Sequence, residues 1–101
     1  MTTREVSNII AAKVHKTEPT AQVMLFGSRA RGDARPDSDW DVMVLIDDKA
    51  VDKRWYMSGE LLELGWDINK TINPIIYTKS EWDKRRFTPF YKNVMQDKID
   101  L

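Results

Sequence analysis

The chain has 101 residues, of which 42% are hydrophobic and 32% charged, and these proportions predict one ordinary globular domain spanning residues 1–101. Sixteen basic and sixteen acidic residues balance to zero net charge, which gives no strong signal for binding duplex nucleic acid. The absence of cysteine excludes disulfides, thiolate metal sites and cysteine nucleophiles. No apolar segment approaches the roughly 20 residues of a membrane span, so we expect a cytoplasmic protein with no membrane association.

The predicted elements begin with an amphipathic helix over Glu5 to Lys16, where apolar residues recur at helical spacing. A short apolar run, Ala21 to Phe26, predicts a buried strand. The Gly-, Arg- and Asp-rich residues 27–38 then predict a loop with one helical turn. The clearest strand is Trp40 to Ile46. Both of its alternating faces are apolar, which predicts a central strand covered on both sides.

The second half of the chain predicts a helix, an edge strand, a helix start at Ser80 to Asp83 and a last aromatic-rich element. The helix is indicated over Val51 to Leu64 by a stripe that includes Trp55 and Trp66. We interpret the four Trp of the chain as core and rim aromatics, one of which could stack on a base. Pro74 has no N–H to donate, so the strand that contains it lies at an edge or carries a bulge. The aromatic-rich element follows over Phe87 to Met95.

Two short motifs carry the candidate chemistry. Gly27 and Ser28 follow a strand and begin a helical turn, where a small residue, a hydroxyl and free N–H groups can receive a phosphate. Asp39 and Asp41 are one residue apart at the start of the next strand. Strand geometry directs both carboxylates to one face, about 6–7 Å apart at Cα. Oxygen ligands at such spacing suit Mg²⁺.

Each motif alone also has an ordinary structural interpretation. A Gly-Ser pair often ends a strand, and an Asp-x-Asp pair often caps one, with Asp39 serving as a turn residue. Arg29 and Arg31 lie within one turn of Ser28 and could contact phosphate oxygens. They could equally pair with Asp33 or Asp37 in solvent. The combination of both motifs favours function, because core formation requires neither.

The motifs together read Gly27-Ser28-x10-Asp39-x-Asp41, with residues 29–38 as the spacer. This pattern resembles the signature of the polymerase-β-like nucleotidyltransferase superfamily, and in particular its minimal (MNT) branch, whose members include antitoxins. The ending Pro89-Phe90-Tyr91-Lys92-Asn93-Val94 resembles that branch as well. The resemblance implies an α/β (α+β) fold in which helices flank a small mixed β-sheet. It also implies transfer of a nucleoside monophosphate, AMP from ATP, to an acceptor hydroxyl.

The resemblance assigns roles to individual residues. Gly27 and Ser28, with Arg29 and Arg31, would bind the nucleotide phosphates, while Asp39 and Asp41 would be catalytic and would ligate Mg²⁺. Metal ions in such sites neutralise charge on the phosphate and hold the attacking and leaving oxygens in line.

One position departs from the family pattern. The family supplies a third carboxylate from a later strand, and here Asn73 stands about where it is expected. An amide offers a neutral oxygen but accepts no proton at neutral pH, which puts turnover in question. Asp67 is either a substitute for the missing acid or an ordinary surface acid.

The resemblance also implies a partner. MNT proteins commonly pair with a helical HEPN-domain toxin, which the MNT antitoxin adenylylates. The alternative is a catalytically weak or inactive nucleotide-binding module that neutralises its partner by masking. A transferase acting on a small molecule such as an aminoglycoside is a third reading, but such enzymes carry extra helical domains. An oligomer is compatible with the sequence.

Overall fold

The computed structural model describes residues 1–101 and contains one four-stranded mixed sheet. The helices are α1 Thr3–Thr17, α2 Gly27–Arg31, α3 Arg54–Asp67, α4 Lys79–Asp83 and α5 Pro89–Asp97, and a 3₁₀ helix spans Asp48–Lys53. The strands are β1 Gln22–Phe26, β2 Trp40–Ile46, β3 Ile72–Thr78 and β4 Ile99–Asp100, in the spatial order β3-β2-β1-β4. β1 is antiparallel to β2 and β4, and β2 is parallel to β3. The predicted fold, a small mixed sheet flanked by helices, is confirmed.

β2 is central and is covered on both faces, as predicted. Val42, Val44 and Ile46 point into a larger core beneath α1 and α3. Met43 and Leu45 point into a smaller core beneath α4 and α5. The two cores hold 15 and 6 buried residues, so the sheet is packed much more heavily on one side.

α1 matches its prediction closely, because its ends carry clear sequence signals. Thr2 and Glu5 form a capping box, in which each side chain accepts a hydrogen bond from the backbone N–H of the other. Val6, Ile10 and Val14 form the buried face that packs into the larger core. The helix therefore begins and faces as its sequence indicates.

β3 is an edge strand, as Pro74 predicts. It pairs only with β2, in parallel register from Trp40 opposite Ile72 to Ile46 opposite Thr78. Parallel neighbours need a crossover, which the 3₁₀ helix and α3 supply. At the return, a Cβ on Gly65 would lie 2.7 Å from the Lys70 carbonyl oxygen, so only glycine allows this close packing.

The stripe by which α3 was predicted does not face the core. α3 begins at Arg54, after the 3₁₀ helix, and buries Met57, Leu61 and Gly65. Trp55 is 83% exposed and Trp66 is 79% exposed. Trp40 and Trp82 are the two buried tryptophans. The helix itself is confirmed, but its packed face is the one that lies opposite the tryptophans.

None of the helices combines the length and apolar character that crossing a bilayer requires.

Candidate nucleotide-binding site

The turn after β1 leaves no room for a side chain beside the carboxylate of Asp41. Phe26 pairs with Asp41 across the sheet, so Gly27 comes directly beside that side chain. Gly27 has a φ of +72°, a left-handed conformation that glycine adopts without strain. A Cβ at Gly27 would collide with Asp41 Oδ2 and would lie 3.2 Å from its Cγ. The turn therefore requires glycine for its backbone and for the space that the carboxylate occupies.

Asn73 lies directly opposite Asp41 on the neighbouring strand. The two residues are register partners in the parallel β2–β3 pair, and Asn73 Nδ2 donates a 3.0 Å hydrogen bond to Asp41 Oδ1. Register partners direct their side chains to one face of a sheet. This face is the side of the smaller core, which receives Met43 two residues after Asp41. The structure thus brings together Gly27, Asp41 and Asn73.

Ser28 lies in the first turn of α2, half-buried and next to Gly27. Its carbonyl oxygen accepts hydrogen bonds from the N–H groups of Gly32 at 3.0 Å and Asp33 at 3.2 Å, which closes the C-terminal end of α2. The first N–H groups of a helix have no partner within the helix. They and the Ser28 hydroxyl are the donors that this turn can offer to an anion.

Arg29 fixes the loop that precedes Asp39. Its Nη2 donates to the carbonyl oxygens of Pro36 at 3.1 Å and Ser38 at 2.8 Å. Its guanidinium also stacks on Trp40, 4.5 Å from the ring centroid. These contacts hold the guanidinium on the loop, so Arg29 positions Asp39, the exposed residue that joins the loop to β2. Its predicted role in phosphate binding stays a prediction.

Arg31 is exposed and links α2 to α5. Nε pairs with Asp33 and Nη1 with Asp97, both at 3.2 Å. The Asp97 carboxylate and then the Asp33 carboxylate raise the pKa of Arg31 above its usual value. Pairing with Asp33 matches the surface interpretation of this residue, whereas Asp97, 66 residues away, gave no signal in the sequence. Contact with a phosphate would require Arg31 to exchange these partners.

Asp67 does not join the site in this structure. It is exposed at the C-terminal end of α3 and lines a groove with Lys13, Glu60 and Glu63 on the side of the larger core. No three acidic or histidine side chains in the chain group as a metal site. The donors that the site residues offer are the carboxylates of Asp39 and Asp41 and the amide oxygen of Asn73. An all-oxygen set of this kind fits Mg²⁺, which completes its shell with water and phosphate.

A mixed sheet with a Gly-Ser turn placed against a strand aspartate is the arrangement that the resemblance to nucleotidyltransferases implies. Residues 8–98 match the family model described as Polymerase beta, Nucleotidyltransferase, and the chain belongs to this family. A search of curated proteins finds no match.

Two solved structures share the fold. One is a toxin–antitoxin with AMP-PNP, with a TM-score of 0.62 and 20% identity over 92% of this chain and 69% of that chain. The other is a chain from Sulfolobus solfataricus provisionally described as a nucleotidyltransferase, with a TM-score of 0.56 and 21% identity over 95% of this chain and 76% of that chain.

Proposed function

We propose that this chain is an MNT-type antitoxin that uses Mg²⁺–ATP to transfer AMP to a hydroxyl of a HEPN-type toxin. The observation that carries the proposal is the placement of Gly27 against the Asp41 carboxylate, with Asn73 hydrogen-bonded beside it. A turn that can accept phosphate and a carboxylate that can bind a cation lie side by side here, so one ligand could contact both. Mg²⁺–ATP is such a ligand, because it presents phosphate oxygens and a divalent cation together.

Different residues of the site would bind the metal ion and the phosphates. Asp39 and Asp41 would hold Mg²⁺, and the bound ion supplies charge neutralisation at the phosphates. The backbone N–H groups after Gly27 and the hydroxyl of Ser28 would donate to phosphate oxygens. In the transfer, the acceptor oxygen bonds to the α-phosphorus, the bond from that phosphorus to the bridging oxygen breaks, and pyrophosphate leaves.

Asn73 cannot take the proton that the acceptor hydroxyl loses. The site holds no group of three acids, and the Asn73 amide accepts no proton at neutral pH. The proton therefore leaves to solvent or to a base that the acceptor brings. A positioned general base typically contributes roughly 10²–10⁴-fold to a rate, so transfer by this chain alone should be slow and should depend on its partner.

The choice of a toxin as acceptor rests on the motif resemblance and on the solved toxin–antitoxin that shares this fold. The candidate site fits a macromolecular acceptor, because Asp39 and Asn73 are exposed. A large acceptor can complete such an open site with its own surface.

The test uses the purified chain, labelled ATP, Mg²⁺ and a HEPN-domain protein encoded beside it. We expect label from the α-phosphate to appear on the partner and pyrophosphate to be released. Calorimetry should show Mg²⁺-dependent ATP binding that is lost in the Asp39→Ala plus Asp41→Ala variant. Equal affinity in that folded variant would refute the assignment of the metal ligands.

The second candidate is masking without transfer, and the Asn73–Asp41 hydrogen bond favours it, because an amide replaces the expected acid. The two functions differ in their dependence on ATP. A masking protein would neutralise the partner equally with ATP, with AMP-PNP or without nucleotide, and would leave no label on it.

A further inference from the structure

The outer face of α3 carries an apolar seam that nothing in the fold covers. Trp55, Leu62 and Trp66 are exposed along it, and Gly59 lies between them. Tyr56, which borders the seam, is 65% exposed. Aromatic side chains bury about 150–250 Å² each, so the three exposed aromatics alone present on the order of 400 Å². That area reaches the largest patch of a typical monomer, about 300–600 Å², and is roughly half of the about 800 Å² per partner of a standard interface.

The spacing of the seam is that of a coiled coil. Positions 55, 59, 62 and 66 are separated by four, three and four residues, which is the alternation of two neighbouring seam positions in a heptad. The buried face of α3, formed by Met57, Leu61 and Gly65, lies on the other side of the helix. The seam is therefore separate from the packed face of α3, and its spacing is the one that a facing helix would require.

Gly59 would allow a facing helix to approach closely. Glycine inside a helix is destabilising relative to alanine, and nothing within the chain requires it here. A Cβ at this position would meet no atom within 4 Å. The gap lies on the solvent side, one turn from both Trp55 and Leu62, where it forms a hole of the kind that receives a side chain from a facing helix.

The seam is complementary to itself when read in reverse. In an antiparallel pair centred between Gly59 and Leu62, each Gly59 faces the partner subunit's Leu62, and each Trp55 faces the partner subunit's Trp66. A large residue thus meets the hole and an aromatic meets an aromatic. Beside the seam, Tyr56 faces the partner subunit's Glu63, so no like charges are opposed and a phenol O–H meets a carboxylate. An interface with two-fold symmetry requires a surface that is complementary to itself in this way.

We propose that α3 is a self-association surface through which two copies of this chain pack α3 antiparallel, with each Leu62 seated over the partner subunit's Gly59. α3 lies on the larger-core side of the sheet, whereas Asp41 faces the smaller-core side. Both candidate sites of the dimer therefore stay open, and the proposal is independent of catalysis.

The experiment is sedimentation equilibrium of the full chain without nucleotide over a micromolar concentration series. The mass should rise from 11.8 kDa toward twice that value. As the mass rises, tryptophan emission should shift to the blue, because Trp55 and Trp66 become buried in the dimer. Gly59→Leu should weaken the dimer at least about tenfold, as expected when the central contact of an interface is blocked. Circular dichroism of each variant should match the parent.

A swap of large and small residues makes the test specific. Leu62→Ala should weaken the dimer, and the double variant Gly59→Leu plus Leu62→Ala should restore it, because the knob and the hole have only exchanged places. Phe87→Ala, which removes an exposed aromatic elsewhere, is the control and should dimerise like the parent. A chain that stays monomeric, a Gly59→Leu variant that dimerises normally, or a double variant no better than Gly59→Leu would overturn the proposal. Loss of toxin binding in Gly59→Leu with a monomeric parent would overturn it too, because the occupant would then be the toxin.

Discussion

Replacing Gly27 with alanine perturbs the candidate site at its narrowest point. At a φ of +72°, a residue with a Cβ costs roughly 1–2 kcal/mol. For a domain of this size, each kcal/mol lowers Tm by about 4–8 °C. The new methyl would also collide with the Asp41 carboxylate, which must rotate away and give up its 3.0 Å hydrogen bond from Asn73. We therefore expect Gly27→Ala to lower both the stability and the affinity for Mg²⁺–ATP.

Gly32→Ala is the matched control for this substitution. Gly32 also has a left-handed φ, of +84°, but a Cβ there would meet no atom within 4 Å. Both variants should lose Tm through backbone strain, and Gly27→Ala should lose more, because it also displaces the Asp41 carboxylate. Only Gly27→Ala should lose affinity for Mg²⁺–ATP. We expect a loss of at least about tenfold, which corresponds to about 1.4 kcal/mol of binding free energy, from the displacement of one carboxylate ligand.

Differential scanning fluorimetry gives the two Tm values, and calorimetry with Mg²⁺–ATP gives the two affinities. Unchanged affinity in Gly27→Ala would refute the reasoning, because the displaced carboxylate would then have no part in binding. An equal loss in both variants would assign the effect to backbone strain in α2 and not to the contact with Asp41.

Three further predictions follow from neighbouring contacts. Asn73→Asp should raise the rate of AMP transfer, or create it, with little change in ATP affinity. Assays with labelled ATP measure this rate. An unchanged rate would mean that Asn73 does not occupy the third-carboxylate position. Arg29→Ala should lower Tm, because charged hydrogen bonds to the loop contribute about 1.5–3 kcal/mol each. Arg31→Ala should barely change Tm, because exposed ion pairs contribute about 0–1 kcal/mol. If both variants bind ATP with unchanged affinity, neither arginine belongs to the phosphate site. Glu81 has a pKa lowered from its ordinary 4.5, first by the backbone N–H that it caps and then by Arg54. The stability that the Glu81 carboxylate gives to the folded state is therefore present above pH 4.5 and is lost as pH falls through the lower folded pKa. Glu81→Gln should reduce the drop in Tm on acidification. Identical profiles of Tm against pH for the variant and the parent would contradict this.

Much of the fold could be predicted because local signals and tertiary packing agree. The alternation in β2 placed Val42 and Met43 on opposite faces, and both faces proved to be buried. Pro74 limited β3 to an edge strand or a bulged strand because it has no N–H, and the structure places β3 at the edge. In both cases the local chemistry permits few arrangements, and tertiary packing selects among them.

Other features depended on contacts that no local pattern encodes. The tryptophan stripe predicted α3, but periodicity shows only that a helix has an apolar face and not which face packs. Met57 and Leu61, which form the packed face, were less conspicuous than Trp55 and Trp66. β4 consists of two residues and exists because Ile99 pairs with β1, a contact across most of the chain.

The candidate site was predictable in its parts but not in its contacts. The motif predicted Gly27 and Asp41, and the family pattern pointed to Asn73, yet neither shows that Asn73 would donate to Asp41. The motif likewise left Arg29 open as a phosphate ligand, whereas the structure binds its guanidinium to the loop carbonyls and to Trp40. A side chain with several donors takes its partners from the folded surroundings.

The unequal division of the two cores has a consequence for dynamics. The core under α4 and α5 contains six buried residues, against fifteen on the other side, so we expect this layer to open locally while the rest of the domain stays folded. Amide hydrogens of α5 should then exchange faster than those of α1. A ligand held at Asp41 would lie on this weakly packed side of the sheet. Substrate entry and product release would thus involve the layer that separates most readily from the sheet.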